Sequence, residues 1–147
     1  FWSGSAAMLV SGGRDVVDLE VELSELEYAE FIDRQPASRY AGEVEYCLRN
    51  PVVRDAAYGL LTDEERKTAH RLAASWLKQV GESDAMTLAL HYELGGVPDA
   101  AVACYVQAAD LALERAALED AIRIAQRGQA CGIGGQSRGQ TLLMVPG

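Results

Sequence analysis

Apolar residues recur through most of this chain at helical spacing, interrupted once by the alternation of a strand. The clearest helical signals lie in the middle, at residues 49–77, RNPVVRDAAYGLLTDEERKTAHRLAASWL. Asn50-Pro51 opens one helix, because an Asn side chain accepts from the free N–H groups of a first turn and Pro has no N–H to leave unpaired. Thr62 and Glu65 open a second as a capping box, in which hydroxyl and carboxylate satisfy each other's orphan backbone donors. Val53, Ala56, Ala57, Leu60 and Leu61 form the apolar stripe of the first helix. Ala69, Leu72, Ala73, Trp76, Leu77 and Val80 form that of the second, and both stripes are expected to be buried.

Upstream, residues 1–10 predict the end of a short helix closed by Gly12-Gly13. Residues 18–31 read as a helix with Leu19, Leu23, Leu26 and Glu30 on one stripe, although the L-E-V-E-L run at 19–23 also alternates as a strand would. A hairpin follows, with strands over 31–35 and 43–49 and a Ser/Gly/Pro-bearing turn between them. In the return strand Val44, Tyr46 and Leu48 alternate with Glu43, Glu45, Cys47 and Arg49, the period of a half-buried ribbon. Helix followed by two-stranded hairpin is the outline of a winged helix.

After residue 84 the texture turns alanine-rich, with helices expected over 84–94, 98–114 and 118–131, separated by Gly95-Gly96 and residues 115–117. Ala89, Tyr92, Ala101, Tyr105 and Ala108 match the small and aromatic positions of a tetratricopeptide pair, where small residues let backbones approach and aromatics fill the gap. Ala109, Ala112, Ala121, Ala125 and Gly128 give a second match that reuses the middle helix, so the repeat is not a clean one. The tail, GIGGQSRGQTLLMVPG, carries no helical pattern. The expected fold is therefore mainly α. A degenerate winged helix with its β-hairpin covers 1–80, tetratricopeptide-like antiparallel helices cover 84–131, and a flexible or truncated tail covers 132–147.

Composition narrows the function. Of 147 residues 49% are hydrophobic and 24% charged, as in ordinary globular domains, but the net charge is −9. Such acidity repels phosphate backbones and anionic lipid surfaces, so neither nucleic acid nor membrane is an expected partner. Between Asp15 and Asp33 stand eight acidic residues and no Lys or Arg, the opposite of a helix built for a DNA groove. That run is a solvated acidic face or a docking surface for a basic segment. Cys47, Cys104 and Cys131 are widely spaced and form no C-x-x-C pair, which disfavours zinc modules and disulfide frameworks and fits a reducing cytoplasm. No apolar run reaches the ~20 residues that span a bilayer. The first residues lack the basic region and apolar core of a signal peptide, and with no initiating Met the chain reads as a fragment of something longer.

Taken together, the segments Phe31-Ile-Asp-Arg-Gln-Pro-Ala-Ser-Arg39, Arg49, Val53-Arg54-Asp55-Ala56-Ala57-Tyr58, Leu60-Leu61, Glu64-Glu65-Arg66, His70-Arg71-Leu72-Ala73, Trp76-Leu77 and Leu90-His91-Tyr92-Glu93 with Gly95-Gly96 carry a resemblance. They resemble the winged-helix and tetratricopeptide-like region that follows the nucleotide-binding domain in bacterial signalling ATPases of the STAND class (AAA-type ATPases attached to serine/threonine protein kinases, adenylate cyclases or LuxR-type regulators). The likeness spans residues 1–131. It departs at Asn50-Pro51-Val52, where the family has His-Ala-Leu, and again in the tail. The resemblance implies a parent that binds ATP and Mg through an upstream P-loop domain, with no cofactor in this fragment. It also implies a protein partner on the helical repeats.

Candidate chemistry is sparse. Residues 134–141 mimic the spacing of a phosphate-binding loop, but Gln140 replaces the Lys and no strand precedes it. His70 and His91 stand on different helices without further ligands at motif spacing, and each reads as a packed or surface histidine. No Ser sits in a nucleophile elbow, so no catalytic or metal residue is assigned. Trp76 and Tyr58 read as core. Arg49, Arg54 and Asp55, where the wing meets the next helix, are the candidates for coupling to the upstream domain. Tyr92, Gln107 and Arg123 are the candidates for the partner-binding surface. The expected function is a non-catalytic relay between partner and ATPase core. The rivals are a fragment of a DNA-binding winged-helix regulator and an ATP-hydrolysing fragment working through the Gly-rich tail.

Overall fold

The computed structural model describes residues 1–10 and 16–142. Among them seven helices and one two-stranded antiparallel hairpin make the chain mainly helical, and the chain divides into two units, Phe1–Val80 and Gly81–Gly147. No helix of the described residues is long and apolar enough to cross a membrane. The expected closure at Gly12-Gly13 lies outside the described residues.

In the first unit, α1 (Ser3–Val10) begins where the Glu43 carboxylate accepts the Gly4 N–H at 2.7 Å and the Ser3 hydroxyl at 2.9 Å, setting a negative group on the positive end of the helix. A Cβ at position 4 would come within 2.6 Å of that carboxylate and 2.5 Å of the Trp76 indole nitrogen, so only glycine fits. Helix α2 (Val16–Tyr28) buries Leu19 and Leu23, one turn apart, against Ile32 and Tyr46, with Ala6, Ala7, Val10 and Val44 packed around them. It ends before residue 31 because Glu30 takes a left-handed φ of 62° and turns the chain out of the helix. Leu26, expected on the buried stripe, is 41% exposed.

Strands β1 (Ile32–Arg34) and β2 (Tyr46–Leu48) pair with Ile32 opposite Leu48 and Arg34 opposite Tyr46. They are shorter than the alternation suggests, yet hydrogen bonds from Gln35 N–H to Glu45 O (2.8 Å) and from Arg49 N–H to Phe31 O (3.0 Å) continue the ladder at both ends. The other edge of β2 is covered by the N-terminal residues. Tyr46 N–H reaches Phe1 O at 2.8 Å and Trp2 bridges Glu45, which leaves no bare edge there.

Helices α3 (Pro51–Leu60) and α4 (Asp63–Gln79) start as their sequence requires. The Asn50 side chain accepts from Val52 N–H at 2.8 Å, and Thr62 and Glu65 form the reciprocal capping box. Helix α4 buries Ala74, Trp76 and Leu77. Trp76 stacks on Trp2 at 5.3 Å between ring centres, and Tyr40 meets both rings edge-on, an arrangement aromatic quadrupoles favour. Helix α3 buries nothing.

In the second unit, α5 (Ala85–Leu94), α6 (Pro98–Glu114) and α7 (Leu118–Leu142) are joined by short turns, and α6 packs against both neighbours. Gly95 caps α5, Gly96 takes φ 71°, and Pro98 starts α6. Ala89, Ala101 and Tyr105 are completely buried, with Met86, Tyr92, Cys104, Ile124 and Cys131 against them. Small residues on α5 and α6 leave room for one large ring between helices. The tail corrects the sequence reading, since α7 runs through the glycines to Leu142. The reason is visible where it crosses α6. A Cβ at Gly128 would stand 2.9 Å from the Tyr105 Cβ, and one at Gly132 would stand 3.4 Å from Val102, so these glycines are a contact face rather than a helix stop.

Candidate interaction surface

The feature that sequence periodicity misjudges is α3. Its stripe of Val53, Ala56, Ala57, Leu60 and Leu61 reads as a buried face. In the structure Val53 is half-buried while Ala56 and Ala57 are exposed, and Leu60 is 87% and neighbouring Val52 73% exposed. Periodicity establishes that a helix has an apolar side, not that anything in the same chain covers it. Here the helix is held at its C-terminal end. Arg66 of α4 donates to the carbonyls of Tyr58 (3.1 Å) and Gly59 (3.2 Å), the kind of end carbonyl that a helix leaves without an internal partner. Its guanidinium lies 4.9 Å from the Tyr58 ring centre, and the Tyr58 hydroxyl meets His70 Nε2 at 3.1 Å. Tyr58 is therefore a clasp between helices and 43% exposed, not a core residue as its aromatic character suggests. Burial lowers the His70 pKa, so the imidazole in this clasp favours its neutral form.

Of the coupling candidates, Arg49 precedes this helix and Arg54 and Asp55 lie on it, and the three divide into two roles. Arg49 locks the base of the hairpin, with Nε 2.7 Å from Asp33 and a second nitrogen 3.3 Å from Glu30. The Asp33 hydrogen bond, then its charge, raise the already high Arg49 pKa. Arg54 and Asp55 pair with each other at 2.9 Å, both exposed, and touch no other described charge. An exposed neighbour pair of this sort contributes little to stability and is free to exchange partners.

The three expected partner-binding residues do not share a surface. Arg123 lines a groove of about 600 Å³ among the start of α5, the end of α6 and the start of α7. Tyr92 packs half-buried against the core, and Gln107 is exposed on α6 and lines neither this groove nor the one between α6 and α7. The separation follows from the register of α6: Ala101, Tyr105 and Ala108 turn inward and carry Gln107 to the solvent side. The second groove, about 500 Å³ between α6 and α7, is almost wholly apolar, with Val106, Leu113 and Ile122 each about half exposed.

One polar cluster in this unit went unread in the sequence. The Tyr105 hydroxyl donates to Glu93, and Arg127 reaches the same carboxylate oxygen at 3.0 Å while its guanidinium sits 5.8 Å from the Tyr105 ring centre. Burial first, then the Glu93 hydrogen bond, raise the Tyr105 pKa. The available signal was opposite charge one repeat apart, since Glu93 and Arg127 are separated by 34 positions.

The P-loop-like run at 134–141 lies inside α7, where backbone N–H groups are spent on the helix and cannot cradle phosphate. Among the described residues no group of three or more His, Cys, Asp or Glu is placed to hold a metal ion. Comparison with family models, curated proteins and solved structures finds no match to this chain.

Proposed function

We propose that this chain is a non-catalytic regulatory and protein-interaction fragment of a larger cytoplasmic ATP-dependent signalling protein, an ATPase or a serine/threonine kinase partner. It relays partner binding on the α5–α7 unit to a nucleotide-binding domain that precedes it. The single observation that carries the reading is α3, an amphipathic helix most of whose apolar stripe is exposed while its C-terminal end is tied to α4 by Arg66. Exposed apolar stripes of this kind are surfaces for another protein. The exposed Arg54–Asp55 pair on the same helix offers charges that a docking domain can re-pair. The resemblance to STAND-class ATPases supplies the identity of that domain. Helix α2 argues against the DNA-binding reading, because Asp18, Glu20 and Glu25 are exposed along it and would oppose phosphates.

The test is the reading frame upstream of Phe1. The proposal expects a P-loop domain carrying G-x-x-x-x-G-K-[ST] within the same polypeptide. An upstream region encoding no nucleotide-binding domain rejects it.

A further inference from the structure

We infer that the groove among α5, α6 and α7 selects an acidic, amphipathic peptide segment of the partner protein. This inference rests on the reading of the second unit as a partner-binding arm and names the chemistry of what it binds.

The argument is one of charge and shape. The chain as a whole carries a net charge of −9, yet this groove gathers Arg115, Arg123 and Arg127 along its rim. Its floor is apolar, made by Met86, Leu111, Ala112 and Ile124. Three carboxylates at or beside the groove, Asp84, Asp120 and Glu93, have partners within the chain. Asp84 caps α5 by accepting from Met86 N–H at 3.1 Å and from the Thr87 hydroxyl at 2.7 Å. Asp120 pairs with Arg123 at 2.6 Å, and Glu93 holds Arg127 and Tyr105. Arg115, at the end of α6, has no ion pair among the described residues.

Two of the three guanidiniums are therefore available to a ligand. Arg115 is unpaired, and the Arg123 pair is a surface one, with 77% of the Arg123 side chain exposed, so it exchanges Asp120 for another carboxylate at little cost. Arg127 stays with Glu93 and fixes the wall. A volume of about 600 Å³ falls in the range of sites that admit a few side chains. Leucine-sized groups fit the floor while carboxylates meet Arg115 and Arg123 at the rim, with the planar guanidinium geometry favouring carboxylate over other acceptors.

The experiment uses the full chain and three fluorescein-labelled peptides of alternating residue pairs: Glu-Glu with Leu-Leu, Gln-Gln with Leu-Leu, and Lys-Lys with Leu-Leu. Fluorescence anisotropy at low and physiological salt gives their affinities. The Glu peptide is expected to bind about 10-fold tighter than the Gln peptide, with the Lys peptide weakest and the preference shrinking as salt rises. The double variant Arg115→Glu/Arg123→Glu, with helicity unchanged by circular dichroism, is expected to reverse the order. Equal affinity for all three peptides, or an acidic preference that survives the double variant, overturns the inference while leaving the arm a protein-binding unit. Binding to none of the three overturns the inference and the arm's binding role together.

Discussion

Tyr105 organises the second unit from a single position. Its ring fills the space left by Ala89 and Ala101, one side rests against Gly128, and its hydroxyl finds Glu93, itself held by Arg127. Two substitutions separate these contacts. Gly128→Ala gains helix propensity of at most about 1 kcal/mol but drives a methyl into the Tyr105 Cβ, so a net loss of about 1–2 kcal/mol is expected in urea unfolding. Tyr105→Phe keeps the packing and removes a hydrogen bond to a carboxylate, for an expected loss of about 1–2 kcal/mol. The phenol also gives a pH signature. Its pKa is raised in the folded state, so its contribution is complete below the unfolded value of 10.0 and is lost as pH rises through and beyond it. Above that pH the parent chain should lose stability more steeply than Tyr105→Phe. Equal alkaline slopes would mean the hydroxyl is not held as described.

At the scale of elements, local chemistry was legible in the sequence and burial was not. Asn50, Pro51, Thr62 and Glu65 act on their own first turns, so their pattern needs no knowledge of neighbours, and both helices begin where it says. The α3 stripe, Tyr58 and the glycines of α7 depend on what lies opposite. Periodicity cannot tell a core face from a docking face, nor a helix-stopping glycine from one that lets α6 approach. The face that Gln107 occupies is likewise decided by how α6 packs. Helix α3 has no buried residue, so its persistence rests on Asn50, Pro51 and Arg66. Asn50→Ala should cost about 1 kcal/mol and appear as faster amide exchange confined to Pro51–Leu60, with α5–α7 protection unchanged. Leu60→Glu, at a site 87% exposed, should shift stability by no more than about 0.5 kcal/mol. A core-like loss of about 3 kcal/mol would show that the stripe is covered within the chain.

The whole molecule combines an acidic chain with two surface features of different chemistry: an apolar stripe on α3 in the first unit and an arginine-rimmed groove in the second. Neither resembles a nucleotide site. ATP added in millimolar excess should leave the melting temperature unchanged, because residues 134–141 are helical, and a rise abolished by Thr141→Ala would contradict this. The most direct test of the central claim is calorimetric titration of this chain into the nucleotide-binding domain proposed to precede it, repeated with Val52→Glu/Leu60→Glu. The account predicts measurable binding that the double variant weakens at least about 100-fold, as loss of a central apolar anchor does. Equal binding by both chains would contradict it.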